Sequence, residues 1–252
     1  PAIHGGVSET SVLGAEGSPE PYREIPDLQV GVTQLISFDL WLTLVKSHPR
    51  FKPLRNRLLR DWMAPRMDME TFGQFVRRED READRRAQAT GENVGFTARV
   101  AALAGAVGVE VPATADLNHL YRQQSKLFWR YPPQLIDAET LFLLQTLRAR
   151  GCKLALVSNT GYVHGDVMRR ALAGMGLAAC FDWMIFSNEI GYAKPDPRIF
   201  QALISAADVP AARITHIGDD PVSDVQGARG MGMSAFQVTA GLRLRDITAK
   251  IG

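Results

Sequence analysis

Gln34-Leu35-Ile36-Ser37-Phe38-Asp39-Leu40 is a short apolar run that ends on a carboxylate. A run without polar alternation is expected of a strand buried on both faces of a parallel sheet, because helices cover each side and leave no solvent face. The pattern returns at Lys153 to Asn159, Trp183 to Ser187, Ile214 to Asp219 and Ser234 to Val238. Between these runs apolar residues recur at helical spacing. The segments are Asp137 to Arg150, with Leu141, Leu144, Gln145 and Leu147 on one stripe, then Val163 to Met175, Pro197 to Ala206 and Val222 to Met231. Strand and helix alternate, so the expected fold class is α/β: a Rossmann-like doubly wound parallel sheet, with ligands at the C-terminal ends of its strands.

The stretch from Lys46 to Pro133 breaks this alternation. It is rich in Arg, Glu, Ala and Leu and reads as helices over Phe51 to Met63, Met69 to Ala89, Phe96 to Val107 and Ala115 to Trp129. The expected organisation is a core made of residues 32–45 and 134–252, with an all-helical cap at 46–133 standing over the strand ends as a lid. Phe51, Trp62, Phe72, Phe75, Phe96, Phe128 and Trp129 are expected in the core of that helical layer. The charged run Arg77 to Glu82 is expected to form a solvated face. Residues 1–31, rich in Gly, Ser, Pro and Glu, read as a flexible N-terminal extension.

Composition narrows the class. A chain of 252 residues with 46% hydrophobic residues can bury a large core. A net charge of +2 points to neither nucleic acid nor an anionic membrane as partner. No apolar stretch approaches the roughly 18 residues of a membrane span, and the expected location is the cytoplasm, as monomer or homodimer. Cys152 and Cys180 sit in apolar company and read as small hydrophobes rather than a redox pair.

Four strand ends finish in polar residues: Asp39-Leu40-Trp41-Leu42-Thr43, Ser158-Asn159-Thr160, Lys194-Pro195-Asp196-Pro197 and Gly218-Asp219-Asp220-Pro221-Val222-Ser223-Asp224. In order, spacing and position they resemble the four motifs of the haloacid dehalogenase (HAD) superfamily. The resemblance implies a phosphoryl-transfer site in which Asp39 attacks phosphorus and forms an aspartyl-phosphate. It further implies Mg²⁺ held by Asp39, Asp219 and the backbone carbonyl of Trp41, with Asp224 and Asp220 in the metal shell. Ser158 and Asn159 are implied to hold the phosphate, and Lys194 to screen its charge. Thr43, closing the first motif, joins the catalytic set, while Trp41, Lys46, His48 and Thr160 are implied to meet a small phosphorylated substrate.

Trp41 departs from the pattern. Phosphatases of the superfamily carry a second Asp there, which protonates the leaving oxygen, and an indole cannot do so. Such assistance is worth about 10²–10⁴-fold in rate. The first reading is a phosphohydrolase restricted to good leaving groups, such as acyl phosphates, or one assisted by Lys46 or His48. The second is a 2-haloacid dehalogenase, whose members have an aromatic residue at this place and release halide without protonation. The retained Asp219 counts against it. A third is a catalytically weak or inactive relative. Carbon–phosphorus hydrolases also lack the second Asp, but use a lid lysine, for which Lys46, Lys52 and Lys126 are candidates.

Overall fold

The computed structural model describes residues 35–64 and 66–251. The expected N-terminal extension, 1–31, lies outside the described residues. Five strands form one parallel sheet: β1 (Leu35–Phe38), β4 (Lys153–Ser158), β5 (Trp183–Phe186), β6 (Ile214–Gly218) and β7 (Ser234–Gln237). Their order is β5-β4-β1-β6-β7. The chain leaves β1 for one side of the sheet and returns later to the other, so β1 flanks the topological switch point. In such sheets a crevice opens there beyond the strand ends.

All four residues of β1 are fully buried. One apolar cluster joins Ile36, Phe38, Leu154 and Leu156 to α5 (Thr140–Ala149) and α6 (Gly165–Gly174). Another joins Leu35, Ala155 and Val157 to α8 (Pro197–Ala207). Alternate residues of the same strands thus feed opposite faces, as a sheet sandwiched between helix layers requires. On α5 the buried stripe runs through Thr140, Leu144 and Leu147. Gln145, expected on that stripe, is exposed.

After β1 the backbone makes a tight turn. The amides of Leu44 and Val45 both donate to the Leu40 carbonyl, at 3.0 Å each, and Leu42 takes a left-handed φ of 60°. The turn leads into β2 (Val45–Lys46), which pairs antiparallel with β3 (Gln134–Leu135). Between β2 and β3 stand four helices: α1 (Phe51–Met63), α2 (Met69–Thr90), α3 (Phe96–Ala106) and α4 (Thr114–Arg130). They bury Leu59, Phe72, Val76, Phe96, Val100, Leu103 and Leu120 in a separate apolar cluster. Phe51 and Phe128 are buried too, edge to face at 5.1 Å. Trp62 and Trp129, expected in that core, are exposed by 38% and 39%. Among the described residues no helix is long and apolar enough to cross a membrane. Cys180 is buried and Cys152 half-buried, both as free thiols.

The four-helix layer is tied to the sheet loops through the end of α2. Gly91 caps that helix with φ 74°, and its carbonyl accepts the Ala193 amide at 2.8 Å. The Asn93 amide donates to the Gly191 carbonyl at 2.9 Å. These bonds hold the helical insertion against the loop that carries Lys194.

Candidate active site

β1 delivers Asp39 to the middle of the sheet's C-terminal edge, where its amide donates to the Ile217 carbonyl at 2.8 Å. Asp39, Asp219 and Asp224 come together from two strand ends, each offering an oxygen within 4.8 Å of the others. Lys194, only 2% exposed, inserts its ammonium among them. It donates to Asp39 Oδ1 and Asp224 Oδ1 at 2.6 Å each, and to the Val157 carbonyl at 2.8 Å.

Fully ionised, three carboxylates and one ammonium leave two surplus negative charges, on buried Asp39 and Asp224 and half-buried Asp219. Burial, together with the charges of Asp224 and Asp219, outweighs Lys194 and pushes the Asp39 carboxyl up to about 7. Burial and Asp224 raise Asp219 as well. Burial also opposes ionisation of Asp224, but Lys194 and the bond from His216 outweigh it and hold this carboxyl below its usual range. Burial disfavours the Lys194 charge in turn, and its two carboxylate partners override that and raise its pKa.

A divalent hard cation fits this donor set. It needs oxygen ligands and would cancel the surplus charge. Asp39 and Asp219 are the carboxylates with oxygens left over. Both oxygens of Asp224 are engaged, Oδ1 by Lys194 and Oδ2 by the Asp220 amide at 2.9 Å. Among the described residues the Trp41 carbonyl accepts no backbone hydrogen bond, which leaves it available. Asp220 departs from its expected place in the metal shell. Its Oδ1 caps the turn of Pro221–Gln226 by accepting from Val222 and Ser223 amides at 2.9 and 2.6 Å, and it is not part of the three-carboxylate group.

The second and third strand ends are tied to each other. Asn159 clasps the Lys194 backbone twice, Nδ2 donating to its carbonyl at 3.0 Å and Oδ1 accepting its amide at 2.7 Å. Ser158 is fully buried, with Oγ 3.3 Å from the Asn159 carbonyl. The Thr160 amide donates to Ser187 Oγ at 2.7 Å, and its hydroxyl donates to Asn188 Oδ1 at 2.9 Å. Thr43 is fully buried and its hydroxyl has no partner among the described residues. Lys46 is exposed on β2. The ring of His48 lies 5.2 Å from that of Tyr131, and its Nδ1 accepts the Arg50 amide at 3.1 Å.

A cavity of about 430 Å³ lies between the sheet loops and the helical layer; it is lined by neighbours of the acidic group, and not by Asp39, Asp219, Asp224 or Lys194 themselves. Trp41, Asn159, Thr160 and Ala193 line its sheet side; Lys46 and His48 do not line it. From the helices come Lys52, Arg55 and Arg99 with Asp80 and Asp84. Arg55 is buried, stacks on Tyr162 at 4.0 Å and stands 3.8 Å from Asp80. Arg99 pairs with Asp84 at 2.8 Å and Asp80 at 3.4 Å. Asp80 therefore faces the cavity rather than the solvated face expected for its run.

Sequence reading missed His216, the pair Ser187 and Asn188, and Arg55. His216, fully buried in β6, lies 2.8 Å from Ser37 Oγ through Nδ1 and 3.3 Å from Asp224 Oδ1 through Nε2. Burial holds this ring below its usual pKa despite Asp224. The available signal was Ser37 in an otherwise apolar β1, and His216 beside Thr215 in β6. Ser187 and Asn188, which hold Thr160, sit at the end of β5, where the same strand-end rule applied. Nothing in the helical pattern of α1 distinguished Arg55.

Buried Asp39 and Asp224, bridged by Lys194, and half-buried Asp219 beside them gather at the switch point of a parallel sheet, the architecture of an α/β hydrolase. The family model for haloacid dehalogenase-like hydrolases matches residues 33–232, and the chain belongs to that family. Phosphoserine phosphatase of Thermus thermophilus is 39% identical over 117 residues, which are 46% of this chain and 45% of that protein. The chain thus spans less than half the length of that relative. A HAD-hydrolase of Bacillus subtilis solved with magnesium has a TM-score of 0.68 at 18% identity, covering 87% of this chain and 98% of that one. A 2-haloacid dehalogenase from Pseudomonas syringae has a TM-score of 0.56 at 25% identity, covering 81% and 86%. The shared fold does not choose between the two chemistries.

Proposed function

We propose that the chain is a Mg²⁺-dependent phosphohydrolase acting on a small phosphorylated metabolite through an aspartyl-phosphate at Asp39. The grouping of Asp39, Asp219 and Asp224 around Lys194, with two charges uncompensated, carries this reading. A halide-releasing enzyme that attacks carbon has no use for that surplus of negative charge.

Asp39, Asp219 and the Trp41 carbonyl would hold the ion, with Asp224 orienting Lys194 and the Asp220 backbone. When bound, Mg²⁺ supplies charge neutralisation at the transferring phosphoryl group. A carboxylate oxygen of Asp39 forms a bond to phosphorus as the bond to the leaving oxygen breaks. Water then attacks the phosphorus, frees Asp39 and yields inorganic phosphate. Lys194 holds Asp39 in place for both displacements and screens the gathering charge. Trp41 offers no proton to the leaving oxygen, so the reading favours leaving groups that depart as stable anions. The cavity beside Trp41 would hold the remainder of the substrate. Its three basic and two acidic side chains sum to +1, which suits an uncharged or acidic leaving group. Residues 46–133 would act as a unit that closes over it.

The test is hydrolysis of acetyl phosphate, p-nitrophenyl phosphate and 2-chloropropionate, each with Mg²⁺ and with EDTA. Acetyl phosphate should turn over fastest, and only with metal. Chloride release that survives EDTA would replace this reading with the dehalogenase.

A further inference from the structure

Leu42 walls a second cavity, of about 530 Å³, that does not include Trp41 or the residues of the acidic group. Its walls come from the turn after β1, from the entry to α5 and from the entry to α10 (Leu244–Ile251). Two of its lining residues, Thr43 and Thr140, are fully buried, and neither hydroxyl has a hydrogen-bond partner among the described residues. Among the described residues only two other buried side-chain polar atoms lack a partner, on Gln124 and Tyr162. A buried hydroxyl without a partner is costly, and two in one cavity indicate that something polar completes them.

The charges around the cavity specify the sign of that partner. Arg243, Arg245 and Asp137 line it. Arg245 already faces Glu139 at 3.9 Å and Asp246 at 3.7 Å. Asp137 is turned towards the α5 backbone, Oδ1 accepting the Glu139 amide at 3.4 Å. No carboxylate pairs with Arg243 among the described residues. Thr140 is the first residue of α5, whose N-terminal end is already faced by the carboxylates of Asp137 and the N-cap residue Glu139, which leaves the Arg243 guanidinium as the unpaired charge of the cavity. The unpaired guanidinium and the two hydroxyls all offer donors, which an acceptor-rich anion satisfies together. Leu143, Val238 and Leu244 supply apolar wall, and the volume exceeds what a bare oxyanion fills.

We propose that this cavity binds the oxyanion group, phosphate or carboxylate, of a small and partly apolar metabolite, at a site separate from Asp39. Arg243 takes the charge, the Thr43 and Thr140 hydroxyls donate to the oxygens, and the leucine-rich wall covers the body. Thr43 belongs to the turn that carries Trp41, so the occupant touches the segment leading out of the acidic group.

The experiment is calorimetric titration of the full chain with inorganic phosphate in EDTA, where the uncompensated carboxylates around Asp39 repel the anion. Arg243→Ser and Thr140→Val are titrated beside the wild type after their thermal stability has been checked. One phosphate should bind the wild type without metal, at least about ten-fold more weakly in Arg243→Ser and about three-fold more weakly in Thr140→Val. No metal-free binding to the wild type, or wild-type affinity in either variant, overturns the proposal. The readout is independent of turnover, so it stands or falls apart from the phosphohydrolase reading.

Discussion

Asp39 carries two demands that conflict in the absence of a cation. As a nucleophile and ligand it must be ionised, yet burial and its acidic neighbours push its carboxyl up to about 7. The consequence is a proton that competes with Mg²⁺. Above pH 7 the carboxylate is already free; below it, binding must expel the proton, and affinity should fall about ten-fold per pH unit. Titration of Mg²⁺ at pH 5.5, 6.5 and 7.5 checks this, and a flat profile would show that Lys194 keeps Asp39 ionised throughout. Trp41 is the second residue on which the proposed chemistry turns. Its indole is half-buried against the main core and walls the cavity between the sheet loops and the helical layer. Trp41→Asp should cost some packing but introduce an acid two residues from the nucleophile. Turnover of alkyl phosphates should then rise by about 10². A folded, Mg²⁺-binding variant without that gain would mean that the leaving group is protonated from elsewhere. Gly218 illustrates how tightly the site is built, because a Cβ there would lie 2.2 Å from the Asp224 carboxyl.

At the scale of elements, the end of α2 is the joint between the helical insertion and the loop of Lys194. Gly91 suits it for two reasons: a left-handed φ of 74°, and a Cβ position only 2.0 Å from Asp196 Oδ2. Asp196 cannot easily yield, since it caps α8 and binds Arg198 at 2.8 and 2.7 Å. Gly91→Ala should therefore destabilise the fold by about 2 kcal/mol, through strain and lost contact at this joint. Thermal denaturation measures it, and an unchanged melting temperature would show that the joint gives way without cost. The helices themselves were legible: α1 follows the apolar spacing of Phe51, Arg55, Leu59 and Met63, of which Arg55 alone breaks the pattern. The short β2–β3 pair was not legible, because two residues per strand leave no periodicity to read. Nor was the π-turn of Pro221–Gln226, which a helical pattern over Val222 to Met231 conceals.

For the whole molecule, stability should be linked to the proposed metal. A ligand that binds only the folded chain stabilises it by about 2.7 kcal/mol at a hundred times its dissociation constant. For a chain of this size that is a rise in melting temperature of roughly 5–10 °C. Asp39→Asn should abolish the rise while leaving the metal-free melting temperature equal or higher. The sign follows from the raised pKa: the unfolded Asp ionises near its ordinary value and the folded one near 7, so an ionised Asp39 opposes folding at neutral pH. A metal-dependent rise that survives in the variant would remove Asp39 from the ligand set. Residue order alone was enough for the parallel sheet, the helical insertion and the strand-end positions of Asp39, Ser158 and Asp219, because apolar period and motif spacing are local properties of the chain; Lys194 instead lies in the loop before α8, past a short helix that follows β5. What only the tertiary structure decided is which of those polar residues face one another. It engaged Asp220 and Thr160 in loop-building bonds, left Lys46 and His48 out of the cavity lining, and brought Arg55 into that lining and His216 against Asp224. Those outcomes depend on how α1, α2 and β6 pack across long stretches of sequence, and no local pattern records that packing.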